Sequence, residues 1–358
     1  MNLALFLFLI GDYFRQVPLV DEPGLRIWRF NRTEEEQYFD PDAELFSNIW
    51  GVFIMKLPSN FPQRRLTVGL DPRWGRALYT VDGYKGFRCF GEGVFTEPWD
   101  IEGKYPYIFV TDQLKKLVLQ FEIAPPAQRD SVPQIRFVRY IGLTISGGQT
   151  KTFRWPKGIA YSDGGTPNTH SDDHIYVADA IGRKVYKISV ATYQVVDSLV
   201  GFGLPTDVAV GKTVVGGAVV NTDSIYVLDE GRIWVVYFEE DKPGFRHILP
   251  FSQDVNYHLY SIDTDPCGHV LVSTSEDKIY VLEFIDIGGG QIIVDTLDVF
   301  PGPPFNKIHD IYVSGNEVIV SERWTDETGI SLYRITQECA PECCKPVADI
   351  TWPRRDGQ

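Results

Sequence analysis

A phrase that recurs along this chain constrains its fold more than any other feature. Each copy begins with a short apolar run, often introduced by proline, and continues into a second run of the form Ile-Tyr-Val-x-Asp. The clearest copies begin at residues 155–160 and 204–209, and their second runs occupy residues 175–179 and 225–229. Self-similarity over tens of residues is typical of chains assembled from stacked supersecondary units.

The copies predict short strands rather than helices. Aromatic residues make up 13% of the chain, and 32 glycines and 23 prolines punctuate it, a mixture that suits many strands joined by turns. Equivalent apolar positions can be aligned at Val68, Ile101, Ile159, Val208, Ile262 and Ile311, with steps of 33, 58, 49, 54 and 49 residues. Propeller blades repeat about every 40–50 residues. The sequence therefore predicts an all-β, six-bladed β-propeller.

Each predicted blade has four antiparallel strands. Three lie inside the aligned copy, and the outer strand falls between copies, at residues 135–141, 194–199, 245–250 and 291–299. Stacking the sheets radially buries both faces of each, and closing the ring removes long free edges. We expect an N-terminal outer strand, residues 49–57, to close the ring beside residues 330–335, with residues 348–352 as the competitor.

The remaining segments flank one propeller domain at residues 49–335. Residues 1–20 are signal-like, residues 21–48 form an acidic lead-in, and residues 336–358 form a cysteine-containing tail. The apolar run at residues 3–10 is too short to span a bilayer. It resembles the core of an export signal but lacks a preceding basic residue, so an outer strand or a truncated gene start are alternatives. We expect a secreted or extracytoplasmic protein, and a cytoplasmic one otherwise.

The net charge of −14 disfavours nucleic acid as a partner, because an acidic surface repels phosphate. The five cysteines are Cys89, Cys267, Cys339, Cys343 and Cys344. The last three allow a local disulfide from Cys339 to Cys343 or Cys344, unpaired thiols, or a metal knuckle.

The run Pro-Lys-Gly-Ile-Ala at residues 156–160, with Ile-Tyr-Val-Ala-Asp-Ala-Ile-Gly-Arg-Lys-Val at residues 175–185, resembles the NHL repeat. That family is commonly written around Pro-x-Gly-Ile-Ala-Val, Tyr-Val-Ala-Asp and an Asn-Arg-Val-like third strand. The resemblance covers roughly residues 66–335 and implies a six-bladed propeller. Proteins similar in fold include protein- or RNA-binding modules, peptidyl-amidating lyases and calcium-dependent lactonases of the gluconolactonase type, and fold does not choose among them.

In this architecture, the residue before each first inner-strand position faces the channel mouth. The six residues are Thr67, Asp100, Gly158, Asp207, Ser261 and Asp310. Three carboxyl groups around one axis repel unless a cation, water or a shared proton intervenes, and oxygen ligands favour Ca²⁺ or Mg²⁺. Asp100, Asp207 and Asp310 are therefore the candidate metal ligands, with Ca²⁺ as the candidate cofactor. The alternative is that each aspartate accepts backbone N–H groups of the neighbouring blade.

The preceding residues form a candidate ligand surface. They are Leu66, Trp99, Lys157, Thr206, Tyr260 and His309, and all except Leu66 are candidates for contacting a sugar, a peptide or another small ligand. Packing between blades is the alternative for the aromatic members. The resemblance to a lactonase would imply Glu and Asn residues at the mouth. The resemblance to an amidating lyase would imply several channel histidines that bind zinc. The aligned positions provide no Glu or Asn and a single histidine, His309, with His258 nearby in the alignment.

Two further groups of polar residues have structural and functional interpretations. Asp82, Asp112, Asp179 and Asp229 follow the second strands, where we expect them to cap turns. The loop at residues 162–174 includes His170, Asp172, Asp173 and His174, which could hold a surface metal. Their spacing has no rigid signature, so a flexible loop is favoured. A second insertion, at residues 211–223, also joins a first strand to a second strand, so both loops emerge on one face. Two long loops on one face indicate a recognition surface.

These patterns predict non-catalytic recognition of a protein or small ligand at one face of the propeller. The competing class is a Ca²⁺-dependent hydrolase or lyase that uses the acids at the channel mouth. No nucleophile elbow, P-loop or metalloprotease motif is present in the sequence, so no catalytic residue is assigned.

Overall fold

The computed structural model describes residues 14–16, 28–29, 49–82, 87–126, 132–144, 149–164, 170–215, 218–239, 242–248, 258–288, 291–300, 308–315, 317–323 and 328–335. Every regular element among them is a β-strand. In this part of the chain no helix has the length and apolar character needed to cross a membrane. The tail with Cys339, Cys343 and Cys344, and all of residues 1–48 except five residues in two short strands, lie outside the described residues.

The strands follow one another as antiparallel meanders, each corresponding to one predicted blade. Two short N-terminal strands are β1 (Phe14–Gln16) and β2 (Trp28–Arg29). The first meander comprises β3 (Val52–Lys56), β4 (Arg65–Asp71), β5 (Arg76–Val81) and β6 (Arg88–Phe90). The second comprises β7 (Pro98–Lys104), β8 (Tyr107–Asp112), β9 (Leu117–Ala124) and β10 (Gln134–Ile141). A hairpin of β11 (Leu143–Thr144) and β12 (Thr150–Lys151) follows it.

The later meanders repeat the same order. The third comprises β13 (Pro156–Ser162), β14 (His174–Asp179), β15 (Lys184–Ser189) and β16 (Val195–Val200). The fourth comprises β17 (Pro205–Val215), β18 (Ala218–Asp229), β19 (Arg232–Glu239) and β20 (Lys242–Ile248). The fifth comprises β21 (Leu259–Thr264), β22 (Val270–Thr274), β23 (Ile279–Gly288) and β24 (Gln291–Phe300). The sixth comprises β25 (Ile308–Ser314), β26 (Glu317–Arg323) and β27 (Thr328–Ile335).

The first strands of the meanders surround a central channel. β3, β7, β13, β17, β21 and β25 each contact the next, and β25 contacts β3 again. This ring of antiparallel sheets confirms the all-β propeller. We call the side at which these innermost strands begin the mouth face; the turns from second to third strands lie on the same side because each meander alternates direction.

Five sheets of four or more strands are present among the described residues, rather than the six separate blades predicted. The fourth and fifth meanders share one eight-stranded sheet, because the long strands β17 and β23 pair in parallel. Val214 lies opposite Ile285 and Val215 opposite Asp286. The count of separate blades in the sequence prediction is therefore wrong, since strand length was not visible in the repeat.

The strand predicted to close the ring is also assigned wrongly. Residues 49–57 contribute β3, the innermost strand of the first meander, with Phe53 opposite Val68 of β4. Four of its five residues are buried, which is typical of a strand covered on both faces. The true outer strands are β1 and β2, which pair with β27. An N-terminal outer strand does close the ring, as predicted, but it is a different segment.

Apolar clusters fill the spaces between neighbouring meanders. One cluster joins the first meander to the second through Phe53 and Phe121, and further clusters follow around the ring. The last joins the sixth meander to the first through Ile319 and Ile54. Burial of such side chains contributes about 1.5–3 kcal/mol each, so the ring is stabilised from meander to meander rather than by one central core.

Candidate functional site

Three aspartates connect the meanders around the channel in the same way. Asp100 Oδ2 accepts the N–H of Ile159 in the third meander at 2.7 Å. Asp207 Oδ2 accepts the N–H of Ile262 in the fifth at 2.8 Å. Each second oxygen, Oδ1, accepts the N–H of the residue that follows the aspartate. Backbone N–H groups beside the channel are satisfied in this way by a side chain of the preceding meander.

Asp310 repeats the arrangement between the last meander and the first. Its Oδ2 accepts the N–H of Val52 at 2.8 Å, and its Oδ1 accepts the N–H of Ile311 at 2.9 Å. The Ser261 hydroxyl donates to the same Oδ1 at 2.6 Å. The structure therefore brings Asp100, Asp207 and Asp310 to one channel, and their contacts agree with the structural alternative stated for them.

Small residues alternate with these aspartates around the ring. A Cβ atom on Gly158 would lie 2.2 Å from Asp207 Oδ1 and 2.5 Å from Asp207 Cα. A Cβ atom on Gly51 would lie 3.1 Å from Asp100 Cα. Each glycine therefore makes room for the aspartate of the next meander, and Ser261 takes the corresponding place beside Asp310.

This ring corrects the alignment of the first copy. Because Val52 donates to Asp310 as Ile159 does to Asp100, Val52 is the equivalent of Ile159, and Val68 is not. The mouth residues of the first meander are therefore Gly51 and Trp50 rather than Thr67 and Leu66. The spacing from Val52 to Ile101 is 49 residues, which removes the short first step.

A second layer of acids lies deeper in the channel. Asp263 accepts the N–H groups of Thr264 at 2.7 Å and Val313 at 2.5 Å, and Glu102 accepts the N–H of Gly103 at 2.6 Å. These acids and the three aspartates line one cavity of about 360 Å³, including its open end, together with Tyr161 and Tyr312. Sequence reasoning missed this layer. Glu102 and Asp263 each lie two residues beyond a mouth residue, where the two-residue period of a strand returns to the same side.

The channel carboxyl groups hold protons more firmly than exposed ones. Burial raises the pKa of Asp100 and of Asp207 well above 3.8, and the neighbouring Asp310 raises both further. Burial also raises the pKa of Asp263 to about 8 and that of Asp310 to about 6, against hydrogen bonds to Asp310 that lower it. The pKa of Glu102 is well above 4.5 for the same reason. Five clustered acids without a basic side chain among the cavity-lining residues favour protonated forms.

An arc of aromatic rings and one lysine lies above these acids at the channel mouth. The rings of Trp50 and Trp99 meet edge to face with centroids 4.2 Å apart, and His309 stacks on Trp50 at 5.8 Å. Lys157 Nζ lies 4.3 Å from the Trp99 ring centroid and 5.2 Å from that of Trp155. The structure therefore brings Trp99, Lys157 and His309 together and adds Trp50 and Trp155 to them.

The other two predicted ligand residues lie at the same end of their strands but outside these ring contacts. The Thr206 hydroxyl lies 3.5 Å from the carbonyl oxygen of Leu228, to which it donates. Tyr260 is 44% exposed. Burial lowers the pKa of Lys157, while the charge of Asp207 opposes that shift. Whether any of the five binds a ligand stays a prediction.

Turn capping is found at two of the four aspartates that follow second strands: Asp112 accepts the N–H of Lys115 at 2.9 Å and Asp179 that of Gly182 at 3.1 Å. Asp179 accepts the N–H groups of Arg154 and Trp155 at 2.9 and 2.7 Å, so it anchors the connection into the third meander. Asp112 and Asp229 bind the corresponding connections. Asp82 instead pairs with Arg65 at 2.9 Å.

The polar loop of the third meander is anchored to the opposite end of the channel. Tyr161 donates its hydroxyl to Asp173, and His170 Nδ1 contacts the same carboxylate oxygen. Lys104 Nζ lies 3.8 Å from Asp173 and from Asp163. Asp173 is fully buried, so its contacts are those of a structural anchor between the second and third meanders. A surface metal at His170, Asp172, Asp173 and His174 stays the less favoured alternative to a flexible loop.

A separate group in the fifth meander has the donor types of a metal site but another use. Atoms of Asp265, Cys267 and His269 lie within 4.8 Å of one another. Asp265 accepts the N–H groups of Cys267 and His269 at 2.9 and 2.8 Å and contacts His269 Nδ1 at 2.8 Å. Cys267 is disulfide-bonded, which removes its thiolate as a ligand. These contacts stabilise the turn between β21 and β22.

No protein-family model matches the sequence, and no curated protein matches it. Among solved structures, the fold is similar to a catalytically inactive virginiamycin B lyase from Staphylococcus aureus with quinupristin, at 9% identity and a TM-score of 0.45 over 83% of this chain and 89% of that one. It is also similar to Kuenenia stuttgartiensis hydrazine synthase, at 12% identity and a TM-score of 0.47 over 79% and 80%. The RRP9 WD40 repeats reach 12% identity and a TM-score of 0.49 over 82% and 96%. Similarity at this level carries no inference about function, and membership of the NHL family stays a prediction.

Proposed function

We propose that this propeller is a binding protein without catalytic activity, and that it recognises a protein or small ligand at its mouth face. The observation that carries the proposal is the arc of Trp50, Trp99, His309 and Lys157 over the channel. These three rings are partly buried, and aromatic rings beside a concave opening are typical of surfaces that bind ligands.

Packing between meanders accounts for only part of this surface. Trp50 and Trp99 contact each other, so these two rings would pack there in any case. Tyr260 and Trp155, by contrast, are 44% and 36% exposed on the same face. Large apolar side chains around a pocket entrance mark interaction sites more often than isolated ones do.

Site-specific photo-crosslinking tests the proposal. A photoreactive phenylalanine analogue at Tyr260 or Trp155 is expected to capture one defined partner from an extract of the native host. The same analogue at exposed Lys56, on the opposite face, is the matched control. Capture that is equal at Lys56, or that persists unchanged when Trp99→Ala removes the central ring, would contradict recognition at the mouth.

A metal-dependent hydrolase or lyase is the second candidate, and the convergence of Asp100, Asp207 and Asp310 on one cavity favours it. Their oxygens are of the kind that Ca²⁺ prefers, but Ca²⁺ requires six to eight ligands. All six carboxylate oxygens already accept backbone N–H groups. These bonds support the structural role over the metal role.

Thermal melting with calcium or chelator separates the two candidates. A tightly held ion stabilises the native state by mass action. Under the binding proposal, the melting temperature does not move on addition of Ca²⁺ or EDTA. A shift of several degrees that Asp207→Asn abolishes would favour the metal-dependent enzyme.

We also propose export to an oxidising compartment. The disulfide at Cys267 supports it, because disulfides persist outside the reducing cytosol. The intact mass of the mature protein from its host tests this. Loss of a segment within residues 1–20 together with an oxidised Cys267 is expected, and a full-length, fully reduced chain would contradict it.

A further inference from the structure

The mouth face of the second and third meanders is basic although the chain is acidic. The net charge of the whole chain is −14. We define the basic sector by the lysine and arginine side chains at this end of the two meanders. They are Lys115, Lys116, Lys151, Arg154, Lys157 and Arg183.

The acids at this end of the two meanders do not balance the six cations. Glu92 and Glu97 lie on the connection into the second meander. Asp112 and Asp179 are buried, with their carboxylates bound to backbone N–H groups. Among the ion pairs of the described residues, none includes Lys115, Lys116 or Arg154. Like charges that outnumber their counter-charges repel one another, and an acidic partner would relieve this repulsion.

Exposed apolar side chains lie between the cations. Leu114 is 64% exposed, Ile181 is 46% exposed and Trp155 is 36% exposed. Leu114 and Ile181 occupy the same turns as Lys115 and Arg183. A surface of aliphatic side chains among positive charges is complementary to a polypeptide segment with apolar and acidic side chains. It is less complementary to the bases and phosphates of a nucleic acid.

From this juxtaposition we infer that the basic sector binds an acidic protein segment containing apolar side chains. The inference rests on the proposed function and names the partner class for the same face. Charge complementarity determines orientation and speeds encounter, while Leu114, Trp155 and Ile181 provide the apolar contact.

The test uses a fluorescein-labelled synthetic peptide of alternating Glu-Glu-Leu-Phe units, titrated with the full chain and followed by anisotropy. Binding is expected at low salt, with weakening of about tenfold or more at 300 mM NaCl because salt screens exposed charges. A peptide with Lys in place of Glu is expected not to bind.

Charge reversal locates the site. The double variant Lys115→Glu/Arg154→Glu is expected to weaken peptide binding by about tenfold or more. The matched control Lys56→Glu/Arg136→Glu makes the same charge change away from the mouth and is expected to bind as the unmodified protein does. Circular dichroism melts of all three proteins establish that each is folded.

Three outcomes overturn the inference: no binding of the acidic peptide, equal weakening by both double variants, or tighter binding of a single-stranded uridine oligonucleotide, which would indicate a nucleic-acid surface. These results differ from failure of the proposed function. If Tyr260 still crosslinks a partner that Lys115→Glu/Arg154→Glu does not affect, recognition at the mouth stands and the acidic class of partner is wrong.

Discussion

The carboxylate of Asp310 accepts the backbone N–H of Val52 at 2.8 Å, although 258 residues separate them in the chain. On the neighbouring strand β26, the Ser321 hydroxyl donates to the carbonyl of Trp50 at 2.8 Å. Ile319 and Ile54 lie in the apolar cluster between the same meanders. Ring closure therefore depends on polar bridges and apolar contacts at the innermost strand, in addition to the outer strands that pair with β27.

Replacing Asp310 by asparagine is expected to weaken this closure. An asparagine oxygen can accept the N–H of Val52, but its NH₂ group then faces the N–H of Ile311, which keeps only the longer contact to Ser261 Oγ at 3.2 Å. The Ser261 hydroxyl also loses Oδ1 as its acceptor. The expected loss is about 1–3 kcal/mol in the free energy of unfolding. Urea denaturation at pH 5 measures this loss. Asp310 is mostly protonated below its pKa of about 6, so the lost carboxylate charge contributes little to the difference between the two proteins. Asp163→Asn, at a position 41% exposed, is the control, and equal stability of both variants would contradict the prediction.

Stability is expected to fall as pH rises from about 4 to about 8.5. The folded-state pKa values of the channel acids are raised, to about 6 for Asp310 and about 8 for Asp263. A carboxyl group with a raised folded pKa contributes its full stability below the unfolded pKa, and that stability is lost as pH rises through the folded pKa. For Asp310 the shift from 3.8 corresponds to about 3 kcal/mol at about 1.4 kcal/mol per unit.

Asp263→Asn separates this effect from general charge repulsion. It is expected to flatten the pH dependence between about pH 7 and pH 8.5, whereas Glu276→Gln removes one charge from an exposed position and leaves the slope unchanged. Urea midpoints measured across that range provide the comparison. Parallel slopes for the two variants would mean that Asp263 does not hold its proton in the folded protein.

Gly158→Ala is expected to destabilise the ring more than Gly51→Ala. The new Cβ atom at position 158 meets Asp207 Cα at 2.5 Å, whereas at position 51 it meets the movable Leu70 side chain at 2.8 Å and backbone atoms at 3.0 and 3.1 Å. Overpacking of this kind costs about 1–3 kcal/mol. Thermal melts of both variants measure the difference, and the reverse order would show that the space beside Asp207 is wider than described.

The two described cysteines are expected to differ in reactivity. Cys89 is free, but burial and the nearby Glu92 raise its thiol pKa above 9.0, so iodoacetamide labels it slowly at pH 8. Cys267 is expected to stay unlabelled until a reductant opens its disulfide. Peptide mapping measures both, and a non-reducing digest is expected to link Cys267 to residues 339–344, which contain the other three cysteines of the chain. Rapid labelling of Cys267 without reductant would contradict the disulfide.

The repeat predicted the meanders of the propeller well where apolar alternation was regular. β13 and β14 follow the copy at Trp155, and β16 and β24 fall at the expected outer strands. The first copy failed, because β3 has no proline and its buried run looks like any apolar strand. The pairing of Phe53 with Val68 and the hydrogen bond from Val52 to Asp310 identified β3 as the innermost strand.

The three channel aspartates could be identified from sequence because a repeat maps equivalent residues onto equivalent places. The sequence left a cation site and hydrogen bonds to the neighbouring blade open for them, because which N–H groups they accept depends on how the sheets pack. Trp50 was missed with β3, and Glu102 was missed because the aligned positions ended at Ile101, one residue before it. The charge of the mouth face also emerged only when separate turns met at one end of the ring.

The sequence by itself determined that this chain forms repeated antiparallel strands, and which positions along each strand are equivalent, because apolar periodicity is a local property. Only the tertiary structure decided which strand is innermost, how the ring closes, that two meanders share one sheet, and that five acids line one cavity. Those relationships join residues from different meanders, and packing between the sheets decides which of them come into contact.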